Sequence, residues 1–347
     1  METFTAHRLH FEADVLTTVE LNEHQGSALR GALFHALRGR FCGNAQAGEC
    51  ARCPLAVTCP VALLVSTLRP ESERGRDVPR PYTIQPPLPG AGGHAVDRPD
   101  GSIVYHYEPG ERLAFGLTLY AQALQLFPYV VLATQEFERG GIGRRIQRGG
   151  GRWLRGAVAV RAITASNPIT NETRSVLAEG GVRVHVPDIG VTHEQVSQVP
   201  TPPPGAAVSL RFLTPTRIIR DRRLLKPDQF AFQPLFQRLM DRVESLSVHF
   251  SDTPLVFDDA PALIAAAGRV RATDNRLLWE ELTSYSTRRR GESPISGLLG
   301  SVELAADDWT PFWPLLIWGQ FVHVGKDAVK GNGWYALEEG GLDAHHH

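Results

Sequence analysis

The sequence predicts an α+β fold in which one βαββαβ plan is written twice, and three observations carry that reading. The chain has 347 residues, about twice the common domain size, so two separate cores are expected. A proline-rich stretch, SQVPTPPPGAAVS at 197–209, has no hydrophobic period and reads as a linker between halves. Each half also carries a glycine-punctuated basic segment at the same place, between its second helix and its fourth strand.

In the first half, ETFTAHRLHFEAD alternates as a strand and GSALRGALFHALRGRF has helical spacing. PRPYTIQPPL and ERLAFGLTLYAQ supply two more strands, and ALQLFPYVVLATQEFE a second helix. That helix runs into the basic segment RGGIGRRIQRGGGRW, read as a loop, before further strand material. In the second half AAVSLRFLTPTRII is a strand, and QPLFQRLMDRVESLSVHF places Leu235, Phe236, Leu239, Val243 and Leu246 on one helical stripe. NRLLWEELTSYS and SGLLGSVELAA follow as strands joined by the polar TRRRGESPI. TPFWPLLIWGQFVHV is a short apolar helix, and GWYALEE is the last strand.

This order describes tandem ferredoxin-like, or RRM-like, domains. The first domain spans 1–198, with a cysteine-rich insert at 42–60. A proline-rich linker spans 199–206, and the second domain 207–344. His345, His346 and His347 read as the remnant of a tag.

No apolar run is long enough to span a bilayer, and METFTAHRLHFEAD lacks the basic-then-apolar order of a signal peptide. A cytoplasmic protein without membrane contact is expected. The net charge of −1 argues against indiscriminate coating of nucleic acid but allows local basic patches. Cations are distributed unevenly, since the only lysines are Lys226, Lys326 and Lys330, beside 33 arginines.

Two of those lysines lie in HVGKDAVKGNGWY. Gly325, Gly331 and Gly333 there allow positive φ and close approach of backbone amides to an anion, and Lys326 and Lys330 add charge suited to phosphate. A P-loop is excluded by context, because this loop follows a helix and precedes a strand. The corresponding segment of the first half holds Arg144, Arg145, Arg148, Arg152 and Arg155 among six glycines. Arginine forks bind phosphate bidentately and stack on exposed bases, as single-stranded or hairpin RNA requires. Either segment alone is equally a flexible solvated turn; the repetition of both favours RNA-backbone binding. Arg288 and Arg289 in TRRRGESPI join this set, with Arg38 on the first helix.

All four cysteines, Cys42, Cys50, Cys53 and Cys59, fall in the pattern C-x7-C-x2-C-x5-C. Disulfides are disfavoured in a cytoplasmic protein, and four thiolates at short spacing suit a tetrahedral structural Zn²⁺ with no open position. An iron–sulfur cluster is the alternative, since CP pairs occur at Cys53 and Cys59. Reduced structural thiols are the third reading.

GSALRGALFHAL, CARCPLAVTCPVALL, PRPYTIQPPLPG, LTPTRIIRDRRLL, YSTRRRGESPISGLLGSVEL and FVHVGKDAVKGNGWY occur in this order across most of the chain. As an ordered set they resemble the RAMP superfamily of CRISPR-associated proteins, and more narrowly the endoribonuclease that cuts precursor CRISPR RNA within its repeats. The resemblance implies cleavage without a catalytic cofactor: a ribose 2′-OH attacks the adjacent phosphate, leaving a 2′,3′-cyclic phosphate and a 5′-OH. It implies CRISPR repeat RNA or crRNA as partner, and effector-complex subunits beside it. The alternative it leaves is a RAMP subunit that holds crRNA without cutting.

That chemistry needs a base, an acid and positive charge around the phosphate. In the family a histidine associated with the first helix usually supplies base or acid. On a helical wheel Ala28, Leu29, Ala32, Leu33, Ala36 and Leu37 form the buried stripe, with His24, Gly31, His35 and Arg38 on one flank. His24 and His35 are about 16 Å apart along a helix, so one site does not use both directly. His35 is the first candidate, His24 the second, and Tyr82 a candidate for orienting the scissile nucleotide. Each has an ordinary alternative: a helical histidine without a role, or a core strand tyrosine. Some family members place the catalytic histidine after the first helix, where this chain has cysteine-rich sequence and no histidine before His94.

Overall fold

A computed structural model describes residues 3–47, 50–65, 78–286 and 291–338, so Arg288 and Arg289 lie outside the described residues. The chain divides into two compact units. One comprises His7–Ser166 and Thr173–Gly190; the other comprises Met1–Ala6, Asn167–Glu172 and Val191–His347.

The first unit is built from β1 (Thr5–Val15), β2 (Val19–Asn22), α1 (Gln25–Phe41), α2 (Pro60–Val65), β3 (Tyr82–Gln85), β4 (His94–Asp97) and β5 (Ile103–Tyr107). It continues through β6 (Arg112–Tyr120), α3 (Phe127–Gln135), the single turn α4 (Phe137–Gly140), β7 (Ile142–Gln147), β8 (Trp153–Gly156), β9 (Val158–Asn167) and β10 (Glu172–Leu177). Its main sheet runs β10-β9-β1-β6-β3. In the order in which a βαββαβ plan numbers its strands, β9, β1, β6 and β3 are the fourth, first, third and second. Strict alternation drives β1: Leu9, Phe11, Ala13 and Val15 are buried while His10, Glu12 and Asp14 face outward. Burying Leu9 and Phe11 contributes about 1.5–3 kcal/mol each. The register against β9 pairs Phe11 with Ile163, with a bulge between Glu12 and Ala13.

Two features of this unit depart from the sequence expectation. A second, three-stranded sheet, β2-β5-β4, uses segments assigned no element. The basic segment expected as a loop is a β-hairpin, β7 paired antiparallel with β8. Its alternation was masked by glycines with positive φ: Gly143 (φ 76) lies within the register shift of β7, and Gly150 and Gly151 form the turn. A Cβ on Gly143 would collide with the Glu20 carbonyl of β2, so close strand approach requires glycine there.

The second unit contains β11 (Val191–Thr192), α5 (His193–Gln198), β12 (Ala207–Thr216), β13 (Ile219–Arg220), β14 (Arg223–Leu224), α6 (Phe232–Phe250) and α7 (Ala260–Ala267). After these come β15 (Arg271–Glu280), β16 (Thr283–Ser286), β17 (Gly291–Pro294), β18 (Gly297–Ala305), α8 (Trp313–Val322) and β19 (Tyr335–Glu338). The sheet order is β15-β18-β12-β19, again second, third, first and fourth, with every neighbour antiparallel. The predicted stripe of α6 is the buried one: Leu235, Phe236, Leu239, Val243 and Leu246 have no exposed surface. NRLLWEELTSYS, expected as one strand, breaks into β15 and β16 because Ser296 Oγ accepts the Leu282 amide (3.0 Å) and ends the ladder. The segment 199–206 carries no regular element, and the α5 region expected in the first half groups with the second unit. Among the described residues no helix is long and apolar enough to cross a membrane.

Candidate nucleic-acid interface and cleavage site

In the first unit α1 presents His35 beside the β7–β8 hairpin. Leu29, Ala32, Leu33 and Leu37 turn one face of α1 into the core, which leaves His35 exposed. His35 lines a cleft of about 320 Å³ with Ala32, Ala36, Gly39, Arg40, Glu136, Phe137, Gly140, Gly141 and Arg155. The small residues Gly39, Gly140 and Gly141 keep it open. Partial desolvation of the ring lowers the His35 pKa, and the charges of Arg155, Arg30, Arg38 and Arg145 lower it further. At neutral pH the imidazole is therefore uncharged and able to accept a proton, in a field that favours anions. Arg40 and Arg139 pair with Glu136 on the rim, Arg139 at 3.7 Å.

The hairpin sorts its arginines by alternation. Arg145 is exposed, and Arg155 donates from Nε to the Gly143 carbonyl (3.1 Å). Burial lowers the Arg155 pKa, and the like charge of Arg145 lowers it further. Arg144 and Arg148 do not join this field, contrary to the expectation for the whole segment. Arg144 pairs with Glu20 (3.0 Å) and donates to Asn22 Oδ1 (3.0 Å), while Arg148 donates to the Thr18 carbonyl (2.7 Å). Both brace the hairpin against β2. Arg38 donates to the Ala45 carbonyl (2.9 Å) and still contributes to the field at His35. Trp153 and Leu154 stand out of the hairpin, 61% and 48% exposed, large apolar side chains beside basic ones.

The other two catalytic candidates are elsewhere. His24 caps α1: its Nδ1 accepts the Ser27 amide (3.3 Å) and contacts Ser27 Oγ (2.9 Å), and the residue is buried. As the N-cap it lies outside the helical wheel that grouped it with His35 on one flank of the stripe. Tyr82 is fully buried in β3 opposite Leu119, so it is a core strand tyrosine and does not reach a bound nucleotide. Arg30 and the pairing of Arg155 with Arg145 were not assigned to the site from sequence. Their signal was present: Arg30 lies five residues before His35 on α1, and Arg155 lies across the hairpin turn from Arg145.

In the second unit the glycine-rich segment 323–334 follows α8 and precedes β19, as expected, but it is a packed structure and not an open cradle. Gly325, Gly331 and Gly333 have φ of 84, 93 and 74. The amides of Val324, Lys326, Lys330, Gly331 and Gly333 are spent on carbonyls of the same unit, including Lys326 on Arg217 (3.1 Å) and Gly333 on Pro215 (3.2 Å). Asn332, fully buried, donates to the carbonyls of Pro215 (3.0 Å) and Ile295 (3.1 Å). Positive φ serves this packing, since a Cβ on Gly325 or Gly333 would meet the Arg217 or Val324 carbonyl. Lys326 is exposed, whereas Lys330 pairs with Asp327 (3.0 Å). The β13–β14 hairpin of the same unit exposes Arg220, Arg222 and Arg223, a basic tip that the sequence reading quoted but did not assign.

The four cysteines are free and half-buried. Desolvation raises the Cys50 pKa, and Cys59, Cys42 and Cys53 raise it further, so the thiols lie within electrostatic reach of one another. No three of their Sγ atoms converge within 4.8 Å. Asn44 Nδ2 approaches Cys53 Sγ at 3.8 Å.

A family model described as the CRISPR-associated endoribonuclease Cas6 matches residues 210–335, and one described as an N-terminal domain matches residues 4–189. No curated protein matches the chain. Among solved structures, a partial Cas6-RT-Cas1–Cas2 complex matches with a TM-score of 0.57 at 12% identity, over 99% of this chain and 47% of the other. The chain thus spans about half the length of that relative. A Cas6 (TTHB231) product complex matches with a TM-score of 0.54 at 15% identity, over 96% of this chain and 99% of the other. Thermus thermophilus Cas6 (TTHB231) gives 0.51 at 15% identity, over 97% and 99%. Mixed α+β architecture, antiparallel sheets and these matches define a CRISPR-associated protein of the RAMP type. Within that class residues 210–335 carry the match to the Cas6 endoribonuclease domain.

Proposed function

We propose that the chain is a metal-independent endoribonuclease of CRISPR repeat RNA, built on tandem ferredoxin-like domains, with His35 as its general base. The observation that carries this reading is a neutral histidine exposed in a cleft and surrounded by Arg155, Arg30, Arg38 and Arg145. His35 takes the proton from the ribose 2′-OH as the O2′–P bond forms and the P–O5′ bond breaks. Arg155 and Arg145 stabilise the charge that accumulates on the phosphate oxygens. The departing O5′ takes a proton from water, so the products are a 2′,3′-cyclic phosphate and a 5′-OH. The exposed Trp153 offers a stacking surface to an unpaired base, and Lys326 and the β13–β14 arginines offer contacts to the RNA backbone. Retention of the product would make the same chain a crRNA-bound partner of effector subunits.

Incubation of labelled repeat RNA with the protein in EDTA tests this. The wild type is expected to cut, and His35→Ala to lose roughly 10²–10⁴-fold in rate with RNA affinity retained. Equal cutting by the variant removes His35 from the mechanism. Tight binding without cutting by the wild type identifies the alternative, a RAMP subunit that holds crRNA.

The cysteines Cys42, Cys50, Cys53 and Cys59 supply a structural zinc site in this reading, with an iron–sulfur cluster as the alternative. Their donor set, partial burial and electrostatic reach of one another support it, and convergence of the thiolates on the ion would fix the insert at 42–60. No step of the cleavage passes through that ion.

A further inference from the structure

We propose that His94, His106 and Glu108, on the three-stranded sheet of the first unit, form a binding site for a zinc-class divalent ion, separate from the cysteine set. Each offers a ligand atom, and the three atoms lie within 4.8 Å of one another. Ligands at about 2.0–2.1 Å from a tetrahedral zinc stand roughly 3.4 Å apart, so small side-chain rotations close the set.

The strands build this juxtaposition. His94 of β4 is the cross-strand partner of His106 of β5, with ring centroids 5.7 Å apart. Glu108 lies two residues beyond His106 and so on the same face. The chain can reach this register only through Gly93 (φ 65), where a Cβ would lie 2.9 Å from the His106 carbonyl and 2.8 Å from the Tyr107 ring.

The surroundings are those of a prepared site. His106 Nε2 stands 3.0 Å from Glu20 Oε1, a carboxylate only 5% exposed. Such a partner fixes the orientation of a ligand imidazole, leaving the other ring nitrogen for a metal. Glu20 is itself held by Arg98 at 2.6 and 2.7 Å, and by Arg144 at 3.0 Å. Thr18 Oγ1 donates to Glu108 Oε2 (3.0 Å), which leaves Oε1 free of that bond. Two imidazoles and one carboxylate select zinc and its neighbours over magnesium or calcium, and three protein ligands leave one position for water. Because Glu20 holds Arg144 as well, an ion here would be tied to the base of the β7–β8 hairpin.

Titration of the full chain with Co²⁺, followed by visible absorption, separates this site from the cysteines. Bound at His94, His106 and Glu108, cobalt gives d–d bands without thiolate-to-metal charge transfer, and Zn²⁺ displaces it. His94→Ala and Glu108→Gln, both changes at exposed side chains that leave the fold in place, are each expected to weaken this binding by about tenfold or more. The histidines at 345–347 contribute equally to wild type and variants, so the difference between them is the measure. Indistinguishable titrations for wild type and both variants, or cobalt bound only with thiolate character, overturn the proposal.

Discussion

At the scale of single residues, one histidine is made different from its neighbours by what surrounds it. His24 and His35 lie on or beside the same helix, yet one is consumed by capping and the other stands in a field of guanidiniums. Partial desolvation and Arg155 lower the His35 pKa, so the neutral, proton-accepting form persists to lower pH than an ordinary histidine allows. Removing the cation with the largest effect on it reverses part of this. In Arg155→Met the acid limb of kcat/KM against pH is expected to move to higher pH, because His35 then holds its proton more strongly. The limb also reports the free enzyme, so RNA binding does not obscure it. An unmoved or lowered limb would mean that Arg155 does not face His35 in solution. The sequence displayed His35 and Arg155 but not their relation, since they are 120 residues apart and only the hairpin brings them together.

At the scale of elements, the basic segments divide into cations available to a ligand and cations committed to the fold. Alternation in β7 sends Arg145 outward and Arg144 onto Glu20. In the second unit Lys326 is exposed while Lys330 is paired. Salt titration of RNA binding distinguishes the two classes. Arg145→Ala and Lys326→Ala are each expected to reduce the slope of log K against log salt by about 0.7, the single-strand value for one lost phosphate contact. Lys330→Ala should change it little. A full unit of slope lost at Lys330, with none at Lys326, would contradict this division. Helices α1, α3, α6 and α8 and the strands of the two main sheets were legible because amphipathic periods survive, as in α6 and β1, whereas the short α2, α5 and α7 were not. The β7–β8 hairpin was not, because glycines at positive φ interrupt the period-two signal. The β2-β5-β4 sheet was missed because its strands are short and β2 lies far from the other two in sequence, although DRPDGS between β4 and β5 is a turn signal.

At the scale of the whole molecule, two sheets of the same strand order carry different loads. The first unit bears the histidine, the guanidinium field and both sets of potential metal ligands, while the second carries the Cas6 domain match and the exposed Lys326. A structural ion on the cysteines would make part of the stability depend on metal, because its binding energy is folding energy. Stripping zinc with a strong chelator is therefore expected to lower the Tm measured by calorimetry, with zinc loss followed by elemental analysis; complete zinc loss at constant Tm would remove the structural role. The mixed α+β character was visible in the whole sequence because strand-like and helix-like periods alternate along both halves. The division of labour was not, since it depends on contacts between residues distant in the chain.

The β13–β14 hairpin turns through Asp221 and Arg222, both at positive φ (48 and 64). Two-residue turns of this kind favour asparagine and glycine, and a long side chain there is held against its own backbone preference. Arg222→Gly relieves a left-handed backbone cost of about 1–2 kcal/mol against about 0.5–1 kcal/mol for glycine's greater loss of freedom on folding, so Tm is expected to hold or rise slightly while RNA binding weakens. A chain that keeps an arginine at the apex of a turn where glycine is more comfortable has exchanged thermal margin for a charge at its outermost point.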